Sequence, residues 1–364
     1  MKKFLIGVWV LALLGSAGWL AWEMERPYPR NARGQVVLIP PGSGAQDISQ
    51  SLVERGVLAY QFPFLLRYWL GKLHGRTLKA GEYQFDRPLS PIGVYWMLAR
   101  GEVYLHAVVI PEGSDRFDMA RIFAAEIGMN PQQFLAATAR ADLVRDLDPQ
   151  APNLEGYLFP DTYLLPRGAP VRQIVGAMLA RFRRVAQRKL DLSLNPPPGN
   201  LHDVVTLASL VERETPNPRE RPVIAGIFAR RLEKNMPLQC DPTVIYALRL
   251  IRGFSGLPTG APSHDDLSVD SPYNTYAHAG LPPGPICSPG EASIQAALHP
   301  AAGDALYFVS NNHGGHYFAS TLAAHQRNVT RYRLQLKGNT GEQALSPPQS
   351  TAAKTKNGRK VGKH

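Results

Sequence analysis

Cysteine is nearly absent from this 364-residue chain, in which Cys240 and Cys287 are the only two. Two thiols make neither a disulfide framework nor a zinc site. They leave two readings open, a single bridge between them or two separate buried thiols. Several catalytic signatures are missing as well. There is no G-x-S-x-G elbow, no Walker loop, no H-E-x-x-H helix and no C-x-x-C. His313 and His316 have a metal-like spacing in the run Asn311 to His316, but two histidines without a third ligand are a loop feature. The expectation is therefore no metal and no cofactor. A second long apolar run is also lacking, so the chain is read as crossing a membrane at most once.

Acidic residues are scarce relative to basic ones: 29 Asp and Glu against 40 Lys and Arg give a formal net charge of +11. Seven of the positive charges, Lys2, Lys3, Lys354, Lys356, Arg359, Lys360 and Lys363, lie at the two ends, and removing them leaves +4 for the body. No nucleic-acid-binding pattern accompanies the excess, and nucleic acid is not an expected partner. The 345–364 tail, rich in Ser, Pro, Lys and Gly, reads as a solvated disordered end. An anionic membrane or wall polymer is the alternative partner for its charge.

At 44% hydrophobic and 19% charged residues the chain is globular, and its length suits two folded units. Residues 1–3 are followed by an apolar run from Phe4 to Trp22, about the ~20 residues a bilayer requires. A cleaved signal peptide is the competing reading, but Trp19 to Trp22 continue the run past the small residues Ser16, Ala17 and Gly18. An uncleaved single span fits better, with Trp19 and Trp22 suited to the interface. Arginines 26, 30 and 33 blur the charge asymmetry. The very short N-terminal flank places residues 1–3 in the cytoplasm and the body outside.

After a linker over 23–34, the patterning predicts an α+β chain in two units. The smaller, 35–106, has strand, helix, helix, strand at Val36–Ile39, Asp47–Leu52, Phe62–Leu70 and Ala80–Phe85. A third helix near Pro91–Arg100 and a strand at Tyr104–Ile110 follow. That order resembles a LysM-like carbohydrate-binding unit. The larger unit, 107–344, is mainly helical to Leu250, loop-rich over 253–291, and closes with a strand at Ala305–Val309 and a helix at Thr321–Leu336. One signature recurs at the opening of each unit: Ile39-Pro40-Pro41-Gly42-Ser43 with Asp47, and Ile110-Pro111-Glu112-Gly113-Ser114 with Asp118.

The strongest chemical candidate is the helix predicted over Asp203–Thr215, capped by Asn200 or Asp203 and stopped by Pro216 and Pro218. Glu212 falls i+4 from Ala208 and i+7 from Val205, on the apolar face. Glu214 points about 200° away, toward solvent. A carboxyl on an apolar face is desolvated, which favours its protonated form and suits a general acid. The competing reading is a buried glutamate paired with Arg213, Arg221 or Arg231. Glycoside cleavage by two carboxylates would recruit Glu155, Asp161, Asp241 or Glu214. Asp241 also fits an N-cap before Pro242, and Glu155 and Asp161 fit turns. The aromatics Tyr157, Phe159, Tyr163, Tyr246, Tyr273 and Tyr276 suit either a core or sugar stacking.

Six segments fix a resemblance: Glu155–Tyr163 (EGYLFPDTY), Ala208–Thr215 (ASLVERET), Met236–Tyr246 (MPLQCDPTVIY), Ser271–Tyr276 (SPYNTY), Gly280–Ile286 (GLPPGPI) and Gly314–Phe318 (GGHYF). In this order, behind an N-terminal anchor, they resemble the endolytic murein transglycosylases, the YceG-like proteins. The resemblance implies a lyase with Glu212 as its catalytic residue. It would cleave the bond between N-acetylmuramic acid and N-acetylglucosamine in nascent peptidoglycan strands, leaving a 1,6-anhydro end and terminating elongation. A single-pass cell (inner) membrane protein with its catalytic unit on the outer or periplasmic side follows. Glycan strands are the implied partner, with cell-wall synthases beside them. Glu155, Tyr157, Asp161, Gln239, Asp241, Tyr246, Tyr273, Asn274, Thr275 and His316 become candidate substrate-binding residues. Ser288 departs from the Asn expected before Pro-Gly, and His325-Gln326 from His-Asn. A two-carboxylate wall hydrolase and a non-catalytic glycan-binding scaffold for synthases are the rival readings.

Overall fold

The N-terminal apolar run forms helix α1, Lys2–Glu25, in a computed structural model that describes residues 2–28, 34–189, 200–254 and 260–345. Its stretch Phe4–Glu25 is long and apolar enough to cross a membrane, and among the described residues it is the one helix that is. The arginines at 30 and 33 and the tail from 346 lie outside the described residues.

Behind α1 the described residues form a mixed α+β chain with three two-stranded antiparallel sheets. Strand β1 (Gln35–Ile39) leads through α2 (Ala45–Glu54) and α3 (Gln61–Lys72) to β2 (Gly81–Phe85), which pairs with β1 so that Val37 faces Tyr83. Helix α4 (Pro91–Arg100) follows. Ser90 caps it by accepting from the Gly93 N–H at 3.1 Å, Pro91 sits in its first turn, and Gly101 ends it at φ 73°. These are the residues each position favours. Val37, Leu52, Phe64, Tyr83, Val94 and Leu98 fill a core of their own.

A second core begins at Val108. Strand β3 (Leu105–Val109) pairs with β4 (Thr162–Pro166), and between them lie α5 (Arg116–Ile127) and α6 (Pro131–Thr138). Then come α7 (Val171–Lys189), α8 (Leu201–Glu214), α9 (Arg221–Glu233), α10 (Asp241–Arg252) and α11 (Glu291–Leu298). The hairpin of β5 (Tyr307–Ser310) and β6 (His316–Ala319) precedes α12 (Leu322–Leu345). Helix α8 is the central element, packed by α9, α10 and α11 with Val205, Ala208 and Val211 fully buried. Asn200 is its cap, accepting from the His202 N–H at 3.1 Å.

The recurrent signature is one turn built twice. Gly42 and Gly113 take φ values of 83° and 77°, where a side chain would be strained. The Ser43 hydroxyl donates to the Pro40 carbonyl at 2.9 Å, and Ser114 to that of Pro111 at 2.7 Å. Asp47 and Asp118 each accept the backbone N–H three residues upstream. Turn geometry accounts for the shared residues. It does not account for Glu112, because Pro41 fills the same position in the first copy.

Two expectations need correction. The strands β4 and β6 add to the expected order, in which residues up to 250 are mainly helical and the run at 311–316 is a loop; each strand is short and flanked by Pro or Gly. Asp241 is not the N-cap of α10: Cys240 is, and Asp241 opens the helix with its carboxylate accepting from Tyr276 Oη at 2.5 Å. Of the two readings left open for the cysteines, separate thiols are the arrangement present. Cys240 and Cys287 are separate, free and buried, the second donating to the Ser209 carbonyl.

Candidate active site

The last turn of α8 gathers the segments singled out above. Glu212 projects from it with only 5% of its side chain exposed. Its Oε1 accepts from Arg221 Nη2 at 2.9 Å and its Oε2 from the Gly290 N–H at 2.9 Å. Arg221, opening α9, is itself 8% exposed. The paired reading of Glu212 is therefore the arrangement present, with Arg221 as partner out of the three arginines considered. An ion pair this buried is costly to break, because either half alone is an uncompensated charge.

The pair does not lie deep in the protein. Glu112, in the second copy of the turn, lies 3.8 Å from the other guanidinium nitrogen of Arg221 with its side chain 51% exposed. Two carboxylates thus share one guanidinium, the inner tightly bonded and the outer open to solvent. Partial burial raises the affinity of Glu112 for a proton, and the charge of Glu212 adds to it. The turn is strapped to the loop before α11: Gly113 N–H donates to the Ser288 carbonyl at 3.0 Å and Ser288 N–H to that of Ser114 at 2.9 Å. Arg213 Nη1 reaches the Gly113 carbonyl at 3.1 Å. A methyl group on Gly290 would stand 2.0 Å from Glu112 Oε1, so the loop approaches the carboxylate as only glycine permits. Reasoning from the sequence missed Glu112. The signal was there in the recurrence, as the one turn residue its geometry did not explain.

Glu214 does not face solvent as expected. Its carboxylate lies against the Cys240 thiol and near Asp241, and burial followed by the Asp241 charge pushes its pKa up to about 7. The α10 start covers a side of α8 that a helical wheel leaves blank. Thr215 donates to Glu220 Oε2 at 3.2 Å, and that oxygen also meets His316 Nδ1 at 2.7 Å. Burial alone would raise the Glu220 pKa, but its bonds to His316 hold it low. Gln239 is exposed at φ 52° beside this wall, its N–H donating to the Thr275 carbonyl.

Other candidates sit farther in. Glu155 is fully buried, accepting from Arg116 N–H and from Tyr246 Oη at 3.1 Å each, and burial pushes its pKa up to about 7. Tyr246 and Tyr273 stack edge to face beside it at 5.1 Å. Tyr157 is fully buried, donating to Asp148 and edge-on to Phe182. Asn274 donates to the carbonyls of Leu267 and Val269, closing its loop, and the Thr275 hydroxyl accepts from Cys240 N–H. These side chains are buried. Asp161 is half-exposed but stands apart, bonded at 2.5 Å to Arg181 of α7. The structure thus brings Glu212, Glu112, Arg221, Glu214, Gln239, Asp241 and His316 around one helix end. Glu155, Tyr157, Tyr246, Tyr273, Asn274 and Thr275 support it from within.

The chain has relatives among known proteins. The family model described as the YceG-like family matches residues 37–331. The chain belongs to the YceG-like family. The endolytic murein transglycosylase of Bacillus subtilis is 30% identical over 88% of this chain and 91% of its own. That of Streptococcus pneumoniae is 28% identical over 91% of this chain, which spans 65% of the longer relative. The crystal structure of a YceG-like protein from Listeria monocytogenes superposes with a TM-score of 0.54 and 31% identity, covering 82% of this chain and 99% of that one.

Proposed function

We propose that this chain is an endolytic peptidoglycan transglycosylase with Glu212 as its acid/base. The observation that carries the reading is the Glu212 carboxylate, fixed by Arg221 and the Gly290 N–H one side chain below the surface. The names of the Bacillus and Streptococcus relatives support the substrate class.

In the proposed reaction Glu212, protonated, gives its proton to the oxygen linking N-acetylmuramic acid to N-acetylglucosamine. The C1–O bond breaks and the N-acetylglucosamine side leaves with a free hydroxyl. The 6-hydroxyl of the muramic sugar then bonds to C1 and returns its proton to the Glu212 carboxylate. No water is consumed, and one carboxyl closes the cycle. Glu212 must release one acceptor bond to hold its proton. Arg221 provides for this, since a small swing toward Glu112 frees Oε1. Gln239, Asp241 and His316, around the same helix end, are proposed to line the glycan path.

The same reading places the chain in the cell membrane through its first helix, with residues 35–106 as a LysM-like unit and 107–344 as the catalytic unit on the outer side. The two separate cores support that division. Glycan strands are the substrate, and synthases are the proposed neighbours.

Glu112 favours one second reading. A carboxylate beside the acid is what a hydrolase needs to activate water. Mass analysis of the ends released from purified glycan strands separates the two, since an anhydro end lacks the water that a reducing end carries. Anhydro ends support the transglycosylase, and reducing ends overturn it.

A further inference from the structure

Helix α3 is apolar on both sides, and only one side is used by the fold. Its inner face packs on α4. Phe64 and Gly71 are buried, and a methyl at Gly71 would stand 1.8 Å from the Tyr95 hydroxyl, so the helix cannot turn. Phe62, Leu66, Trp69, Leu70 and Leu73 fall within about 100° of one another on the opposite side. Phe62 is 60% exposed, Trp69 53% and Leu73 82%. A stripe of this kind on one helix marks an interaction surface.

Two observations say what covers it. Helix α1 packs at its C-terminal end against the starts of α3 and α4, where Trp19, Trp22, Tyr60, Pro63 and Pro91 line one hollow. The stripe therefore begins beside the point at which the membrane-spanning segment ends. Charge is the second. Between Glu54 and Glu82 there is no acidic residue among five basic ones; Arg67 and Arg76 stack on Trp96 of α4, and Lys72 stands at the stripe itself. Lys72 lies over the Trp69 ring, 5.0 Å from its centroid. An apolar and aromatic stripe carrying a lysine, on a segment with no acidic residue, has the chemistry of an anionic bilayer interface.

We infer that the outer face of α3 is a membrane-docking surface, which lays the first folded unit on the leaflet from which α1 emerges. This rests on α1 being a membrane span, and is independent of the catalytic reading. Docking removes the swivel that a single tether would leave and fixes the height of the second unit above the bilayer.

The test uses the full-length chain in lipid nanodiscs containing phosphatidylglycerol, with a spin label on Leu73→Cys. Cys240 and Cys287 are buried, so the introduced thiol takes the label. Leu143→Cys, exposed on the second unit, is the control. The expected ratio of collisions with oxygen to collisions with a water-soluble nickel chelate is several-fold higher at 73 than at 143. Adding Trp69→Glu and Leu70→Glu, both at exposed positions, should return it to the control value. Equal ratios at 73 and 143 overturn the inference. So does shielding that survives the two glutamates, or that occurs only in discs holding two chains, which would make the stripe a protein contact. Failure of the chain to enter discs at all overturns the span, and the docking with it.

Discussion

Glu214 ties the surroundings of the site to pH. Burial against Cys240, with Asp241 nearby, raises its pKa from 4.5 to about 7 in the folded protein. A carboxyl with a raised folded pKa contributes its stability fully below the unfolded value, where both states are protonated. That contribution is lost as pH rises through the folded value. Between pH 4.5 and about 7 the folded state holds more protons than the unfolded, so stability falls. At about 1.4 kcal/mol per pH unit the loss reaches about 3 kcal/mol. Glu214→Gln keeps the shape and removes the charge. Its melting temperature relative to wild type should therefore climb by roughly 6–12 °C between pH 4 and pH 8, for a unit of this size. Thermal denaturation of both full-length proteins in one detergent, followed by circular dichroism, reads this difference. Other groups that titrate in the window, Glu155 among them, cancel in the comparison. A difference that stays flat with pH refutes the placement of Glu214.

Gly290→Ala keeps the N–H that holds Glu212 and suits a backbone at φ −75°, but its methyl evicts the Glu112 carboxylate. Glycan cleavage should fall at least tenfold with a melting temperature close to wild type, as read by product release and calorimetry. Arg221→Gln leaves Glu212 buried without its cation and should cost about 3–5 kcal/mol in denaturant unfolding at neutral pH. Glu112→Gln removes the outer carboxylate and, if Arg221 must swing toward it, lowers kcat more than it changes KM.

Much of the fold was legible because local chemistry set it. Ser90, Pro91 and Gly101 bound α4 as caps do, Asn200 starts α8, and the repeated turn carries the same Gly, Ser and Asp in both copies. Glu212 lay on the face of α8 that its spacing to Val205 and Ala208 required. What was not legible depended on partners distant in sequence. The β4 strand forms because β3 pairs with it from the far side of α5 and α6. Glu214 is covered by the start of α10, which no wheel of α8 contains. Arg221 could not be told from Arg213 and Arg231, since only the packing of α9 selects it. Tyr157, Tyr246 and Tyr273 suited core and sugar equally by type, and only their burial places them within the core.

The most direct test of the central claim is product analysis on purified glycan strands with the wild-type chain and Glu212→Gln. The wild type should release 1,6-anhydro ends, and the variant, folded to the same melting profile, should release none. Equal release by both proteins would contradict the role proposed for Glu212.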